Sequence, residues 1–252
     1  MKNLIIQINV DKSLYKDKKL TQKGPGKYGL YDTGYTSEVG KLSEASFRAY
    51  ATKCGADYTV FEKPIYDWVS PSFERMRLIV EDEWANKYDN ILYVDYDILC
   101  HPDTPNIFTE FPQDAIRVVN KKKLSNGNKK ELRNFQKHNI PEDEFKNKFF
   151  NAGVVLFNKK GLRLLKKHEK FKERVWKWQH GCQGEINFCV MKYGMELKDM
   201  GKGWNCLIFP WQKGKAKTVW NDVNFFHFVA AQNIRPGSMR ADLLKKFKKI
   251  FG

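Results

Sequence analysis

Cysteine is scarce in this chain of 252 residues, with five in all: Cys54, Cys100, Cys182, Cys189 and Cys206. The number is odd and no Cys-x-x-Cys occurs, so neither a disulfide framework nor a zinc ribbon is indicated. Reduced thiols in a cytosolic, cytoplasmic setting fit that usage. Long apolar runs are also missing. No stretch approaches the length of a membrane span, and Met1 to Val10 has a single lysine and too short an apolar run for a signal peptide. A soluble protein, or one attached at most to a surface, is expected. Acidic residues are outnumbered, 29 against 45 basic ones, for a net charge of +16. Such an excess favours anionic partners, whether nucleic acid, an acidic membrane surface or a phosphorylated substrate, without choosing among them.

What is present is the material of a core. Hydrophobic residues make up 42% and aromatic residues 14%, with seven Trp, which excludes a disordered chain. The length fits one substantial α/β domain. There is no internal repeat.

The stretch from Asn90 to His101 organises the rest. Ile91, Leu92, Tyr93 and Val94 form a short β-prone apolar run, as expected of a strand buried on both faces. Asp95 and Asp97 follow, two apart, at the strand's end. In extended chain both carboxylates leave the same face and converge on one cation, and hard oxygen ligands suit Mg2+ or Mn2+, which in turn holds a diphosphate. The bland alternative is an Asp-x-Asp that merely makes a turn.

Ahead of it, Leu4 to Val10 reads as a first strand leaving toward Asn9 and Asp11, and Lys12 to Gly40 reads as a long loop. Ser43 offers an N-cap for a helix ending at Gly55, and Asp57 to Glu62 a second strand. Ser72 caps a predicted helix from Phe73 to Trp84, with Arg75 and Arg77 free. Lys121 to Lys148 is highly charged and reads as a loop with one short helix, a solvated face. Phe149 to Phe157 is β-prone, interrupted at Ala152-Gly153, and a helix is predicted from Leu162 to about Trp178. Gly181 to Gly184 marks a break before a helix around Ile186 to Tyr193, then β-rich pieces at Leu207 to Trp211 and Asn224 to Val229. Ala241 to Phe251 is a basic amphipathic helix. Alternating strands and helices in the first half predict an α/β fold with a mostly parallel central sheet flanked by helices.

Several separated segments together resemble the metal-dependent glycosyltransferases of the GT-A fold, particularly glycosyltransferase family 8 and its relatives. They are Tyr-Val-Asp-Tyr-Asp at 93–97, Asn-Ala-Gly-Val-Val-Leu-Phe-Asn at 151–158, Gln-Gly-Glu-Ile-Asn at 183–187, Trp-Asn at 204–205 and His-Phe at 227–228, behind a first strand and a helix bearing a basic residue. Their order matches the family's, and the resemblance runs from Leu4 to about Pro236.

The resemblance implies a single GT-A (Rossmann-like) domain over 1–240, with a nucleotide-binding half at about 1–120, an acceptor-side half at about 121–240, and the C-terminal helix 241–252 beyond it. It implies that Asp95, Asp97 and His227 bind Mn2+ (or Mg2+), bridging the phosphates of a nucleotide sugar, by family expectation a UDP-sugar. By itself His227 in an aromatic strand would more often be a core residue. The donor is expected to meet Ile8, Asn9, Arg77, Tyr93, Asp95 and Asn151, with Arg75 two positions away as the alternative to Arg77. Gln183 is expected to position the reacting groups and Glu185 to stabilise charge or activate the acceptor. Here Cys182 and Gly184 stand where the family has aspartates, and Arg235 stands near the place of a family lysine, able to hold a phosphate.

The activity implied is transfer of a sugar, with retention, to a hydroxyl of a glycan or glycoconjugate acceptor. A basic nucleic-acid-binding protein or metal-dependent nuclease is the rival class, although no nucleic acid is expected as partner. A nucleotide-sugar-binding protein without catalysis is the other, suggested by Cys182 and Gly184. The C-terminal helix either touches an anionic membrane through its lysines or packs its apolar side on the domain.

Overall fold

The computed structural model describes residues 1–11, 14, 38–66, 71–120, 126–167, 182–209, 212, 216–229, 234 and 236–252. Most of the predicted loop at 12–40, the far part of the helix expected to reach Trp178, and Arg235 lie outside these residues.

In chain order the elements are strand β1 (Asn3–Ile8), helix α1 (Glu38–Cys54), β2 (Asp57–Phe61), a 3-10 turn (Pro71–Met76), α2 (Arg77–Val80), α3 (Asp82–Lys87), β3 (Asn90–Val94) and β4 (Ile98–Cys100). Then come α4 (Ile107–Glu110), β5 (Ile116–Val118), α5 (Asn126–Gln136), α6 (Glu142–Lys148), β6 (Val154–Asn158), α7 (Lys159–Lys166) and α8 (Cys182–Lys192). The chain closes with β7 (Leu197–Asp199), a 3-10 turn (Lys202–Asn205), β8 (Cys206–Leu207), α9 (Ala216–Trp220), β9 (Phe225–His227) and α10 (Met239–Phe251).

Six strands form the central sheet in the order β2-β1-β3-β6-β5-β7. The β1–β2, β1–β3 and β5–β7 pairs are parallel, and β6 runs antiparallel to both β3 and β5. Side chains alternate across the strands as the period of two requires. Ile91 and Tyr93 enter the core on one face with Leu4, Ile6, Val155 and Phe157, while Leu92 and Val94 join Ile5, Val154 and Leu156 on the other. A second sheet, β4-β9-β8, carries His227 on its middle strand.

The structure corrects several predicted elements. Helix α1 starts at Glu38, so Ser43 lies inside it, fully buried, and does not cap it. The hydroxyl is spent on tertiary contacts, donating to Ile98 O and accepting from Gln7 Nε2 at 2.8 Å. The predicted helix from Phe73 to Trp84 is a 3-10 turn and two short helices, divided at Glu81, whose backbone is extended (φ −92°, ψ 125°). The Glu81 carboxylate takes Arg77 Nε at 2.9 Å and Trp84 Nε1 at 2.6 Å, which holds the corner. Residues 126–148 form two helices, and Leu132, Phe135, Ile140 and Phe145 are core, so this segment is more than a solvated face. Gly184 sits in the first turn of α8, not in a break before it.

Helix α10 begins two residues earlier than predicted, capped by Ser238 Oγ, which accepts from Ala241 N at 3.3 Å. Leu243, Leu244 and Phe247 are buried against Phe226, Phe228 and Leu42. Burial of three such side chains is worth roughly 5–9 kcal/mol of transfer free energy before entropy is subtracted. The apolar stripe is therefore used up on the domain, and only Ile250 remains well exposed on it. Among the described residues no helix is long and apolar enough to cross a membrane.

Candidate active site

The carboxylate pair sits where β3 leaves the sheet, the end at which α/β sheets meet ligands. The chain does not run straight through it. Asp95 to Ile98 is a turn, closed by Ile98 N donating to Asp95 O at 3.3 Å, so the two carboxylates converge by turning and not by extended alternation. Gln7, fully buried on β1, reaches the same turn: its Nε2 lies 3.4 Å from Asp95 O, and its Oε1 accepts from Tyr58 OH at 2.6 Å.

His227 arrives from the second sheet. Pairing of β4 with β9 sets Ile98 opposite His227, and Phe228 N donates to Asp97 O at 2.8 Å. One ligand atom from each of Asp95, Asp97 and His227 falls within 4.8 Å of the others, and among the described residues this is the only group of three such side chains. His227 is buried, and both aspartates are partly exposed.

A chain of amides fixes the imidazole. Asn205 Nδ2 donates to Asn151 Oδ1 at 3.0 Å, which leaves Asn205 Oδ1 as the acceptor 2.9 Å from His227 Nδ1. With Nδ1 donating to that oxygen, Nε2 is the ring nitrogen turned to Asp97 Oδ1, at 3.3 Å, and in the neutral ring it is an acceptor. Two acceptors facing each other at that distance repel unless a cation or a proton stands between them.

Asn151 belongs to the turn that enters β6. Its Oδ1 also accepts from Gly153 N at 2.9 Å, and its Nδ2 donates to Gln183 Oε1 at 3.3 Å. Gln183, in the first turn of α8, accepts from Ala152 N as well, at 3.1 Å. Asn187 clamps the strand entry by bonding both Phe150 N and Phe150 O, at 2.9 and 3.0 Å. Gly153 O in turn accepts from Asp95 N at 2.8 Å. A side chain at Gly153 would meet His227 Cε1 at 2.6 Å, Asn151 Oδ1 at 2.8 Å and Asp95 Oδ2 at 2.9 Å, so glycine is required for the parts to come this close.

Arg75, not Arg77, is the guanidinium at the carboxylates. Its Nη2 donates to Asp95 Oδ1 at 2.9 Å and its Nη1 to Ala152 O at 2.6 Å, over the ring of Tyr93 at 4.4 Å. Burial works against its charge, but the acidic neighbours, Asp95 and Asp97 among them, outweigh that and hold its pKa above the ordinary arginine value. Arg77 is turned away, paired with Glu81 and stacked 3.7 Å over Phe61, because the 3-10 turn breaks the helical register that would have aimed it inward. Tyr93 OH also donates to Asp95 Oδ1. Burial pushes the Tyr93 phenol well above its usual range, with Arg75 opposing, so it acts as a neutral donor. Burial likewise raises the Cys182 thiol against the pull of Arg75. A neutral thiol therefore stands where the resemblance expected a carboxylate.

Glu185 lies in the first turn of α8. It is fully buried within α8 and accepts from Cys189 Sγ at 3.6 Å, out of reach of a solvent-borne acceptor. Ile8 packs into the core beside Val10 and Phe61. Asn9 is 4% exposed, and neither its Nδ2 nor its Oδ1 has a hydrogen-bond partner among the described residues. Arg75, Gln7, Ser43, Asn187 and Asn205 are the site residues to which sequence reasoning gave no firm role. Asn205 lay within the Trp-Asn motif, and that was its one signal.

The family model for glycosyl transferase family 8 matches residues 75–233. No curated protein matches the chain by sequence. Many solved structures are similar in fold, three of them as follows. A glycosyltransferase involved in glycosylation of the major capsid of PBCV-1 is 12% identical, with 99% of this chain and 100% of that one covered and a TM-score of 0.52. Mouse xyloside xylosyltransferase 1 in its apo form is 12% identical, with 93% and 100% covered and a TM-score of 0.53. An active-site mutant of LgtC is 13% identical, with 98% and 95% covered and a TM-score of 0.53.

Proposed function

The chain belongs to glycosyl transferase family 8, and from that premise we propose that it moves a sugar from a nucleoside diphosphate donor, a UDP-sugar, to a hydroxyl of a glycan or glycoconjugate acceptor, with retention. Asp95, Asp97 and His227 would hold a divalent cation, Mn2+ or Mg2+. The observation that carries this reading is the convergence of Asp95, Asp97 and His227, whose ligand atoms lie within 4.8 Å of one another, with the Asn151–Asn205–His227 chain turning Nε2 toward the Asp97 carboxylate at 3.3 Å. Two carboxylates and a neutral imidazole are a donor set that fits either ion, and Mn2+ takes the nitrogen more readily.

When bound, the cation supplies Lewis-acid stabilisation of the negative charge that gathers on the departing diphosphate. The chain's own side chains orient and support. Arg75 and Tyr93 hold Asp95 Oδ1, so its other oxygen is the one that would be left for an ion. The amides of Asn151 and Gln183, locked to each other, line the turn beside the carboxylates and would orient the sugar hydroxyls. Asn9, whose buried amide has both atoms unpaired at a cost of about 1–3 kcal/mol, would meet the nucleotide base or ribose. Arg235 keeps its proposed role as a phosphate-holding group. Five cysteines, all free, suit a cytoplasmic setting.

A screen of nucleotide sugars for Mn2+-dependent hydrolysis tests the proposal. UDP together with Mn2+ should raise the melting temperature more than either alone. Salt-sensitive binding of DNA or RNA with no response to nucleotide would point to the rival class. Donor hydrolysis without acceptor would separate a working transferase from a protein that only binds the donor.

Asn205→Ala checks the tautomer argument separately. It removes the acceptor that keeps the proton on Nδ1, and Mn2+ affinity should fall by about 10–100-fold, as for other partners that orient a metal-ligating histidine. Calorimetric titration of Mn2+ reads this directly, and an unchanged affinity would detach Asn205 from the site.

A further inference from the structure

We propose that Arg240, on the first turn of the C-terminal helix α10, is a positioning residue for the His227 side of the metal site; this rests on the function proposed above. Arg240 is 1% exposed, although it carries a charge. Its Nε and Nη2 donate to Ile208 O at 3.1 and 2.7 Å, and Nη2 also donates to Val229 O. Those two carbonyls belong to the residues that grip His227. Ile208 N donates to His227 O at 2.7 Å and Val229 N to the same oxygen at 3.0 Å. Phe228, between His227 and Val229, donates its N–H to Asp97 O, and the guanidinium lies 5.6 Å from its ring.

One planar cation thus ties the end of β8 to the end of β9, and those two ends fix the backbone that presents the imidazole and meets the second aspartate. Packing alone does not call for such a residue. A buried guanidinium is costly to desolvate and burial pushes its pKa down to about 10, with Asp97 opposing the shift, whereas an apolar side chain of similar volume would fill the space without that penalty. What the apolar side chain could not do is bond two carbonyls from different strands in one fixed plane. The basic C-terminal helix then braces the backbone on the His227 side through its first turn, whatever its outward lysines do.

The test uses the full chain with Arg240→Lys, Arg240→Met and, as a control, Leu244→Ala, which loosens the same helix through packing only. Mn2+ binding without donor is measured by calorimetry or by the free-ion electron spin resonance signal, beside melting temperature and kcat at saturating Mn2+. Arg240→Met should weaken Mn2+ binding by about tenfold or more, in the range found when partners of metal ligands are removed. Arg240→Lys should restore only part of it, kcat at saturating Mn2+ should stay close to that of the parent, and Leu244→Ala should lower the melting temperature while leaving Mn2+ affinity in place. Should Arg240→Met fail to fold, Arg240→Lys decides. Parental Mn2+ affinity in the folded Arg240 variant, or equal loss in Leu244→Ala, overturns the proposal. Absence of Mn2+ binding by the parent chain overturns the metal reading itself, a result distinct from either.

Discussion

Asp97→Ala is expected to abolish Mn2+ binding and sugar transfer together while the protein stays folded. The carboxylate is one of two that face the shared point, and with His227 Nε2 3.3 Å from it, its removal leaves the imidazole without its partner across the site. Loss of several kcal/mol of charge stabilisation at the leaving group corresponds to a rate reduction of about 10³-fold or more. The fold should survive because the backbone carbonyl of residue 97, which ties the turn to the second sheet, accepts from Phe228 N whatever the side chain. A circular dichroism melt close to the parent's, alongside calorimetry without a Mn2+ signal, is the expected pair of results. Undiminished turnover in the variant would remove the metal from the mechanism.

Gly153→Ala, a single methyl group, should be nearly as damaging to the site and more damaging to stability. Its Cβ would come within 3.0 Å of atoms from His227, Asn151 and Asp95 simultaneously. None of the three has room to yield: His227 is tied to Asn205, Asn151 to both Asn205 and Gln183, and Asp95 to Arg75. Overpacking of this kind costs about 1–3 kcal/mol, and displacement of two ligands at once should weaken Mn2+ binding by about 100-fold, the upper end for disturbed partners of metal ligands. The measurement is a denaturant melt in parallel with a Mn2+ titration. A variant that binds Mn2+ like the parent would mean that β6 can move away from β3, against the antiparallel register seen between them.

The sheet and the carboxylate pair at its edge were legible because they depend on short-range pattern. Ile91 to Val94 reads as a buried strand from its run of apolar residues, and a strand of that kind ends in a place where carboxylates matter. His227 was legible only through the order of motifs along the chain, since nothing in Phe-Phe-His-Phe distinguishes a ligand from a core residue. Arg75 and Arg77 show where pattern fails. Both lie in a stretch that scores as one helix, and the choice between them turns on Glu81 interrupting it and on a 3-10 turn that rotates the side chains, neither of which local propensity specifies. Ser43 failed for a related reason: a hydroxyl near a helix start looks like a cap until Gln7 and Ile98, distant in sequence, claim it. The charged segment at 126–148 hid its core residues because four apolar side chains among many lysines carry a weak signal, yet those four are the ones that fold inward. Gln183 and Glu185 are adjacent in pattern yet placed differently, because two positions along a helix points elsewhere: Gln183 bonds Asn151, whereas Glu185 is buried against Cys189.

The two oxygens of Asp95 are not equivalent. Oδ1 receives Arg75 Nη2 and Tyr93 OH, while Oδ2 lies nearest Gly153. An asparagine at this position could keep the size of the side chain but not its polarity: with its oxygen turned to the arginine and phenol, its NH2 would confront the ion, and in the opposite orientation two donors would meet head-on. Even an isosteric exchange should therefore be refused here, which makes this carboxylate, on the proposed metal reading, a directional fitting, anchored at one atom with the other left for the ion.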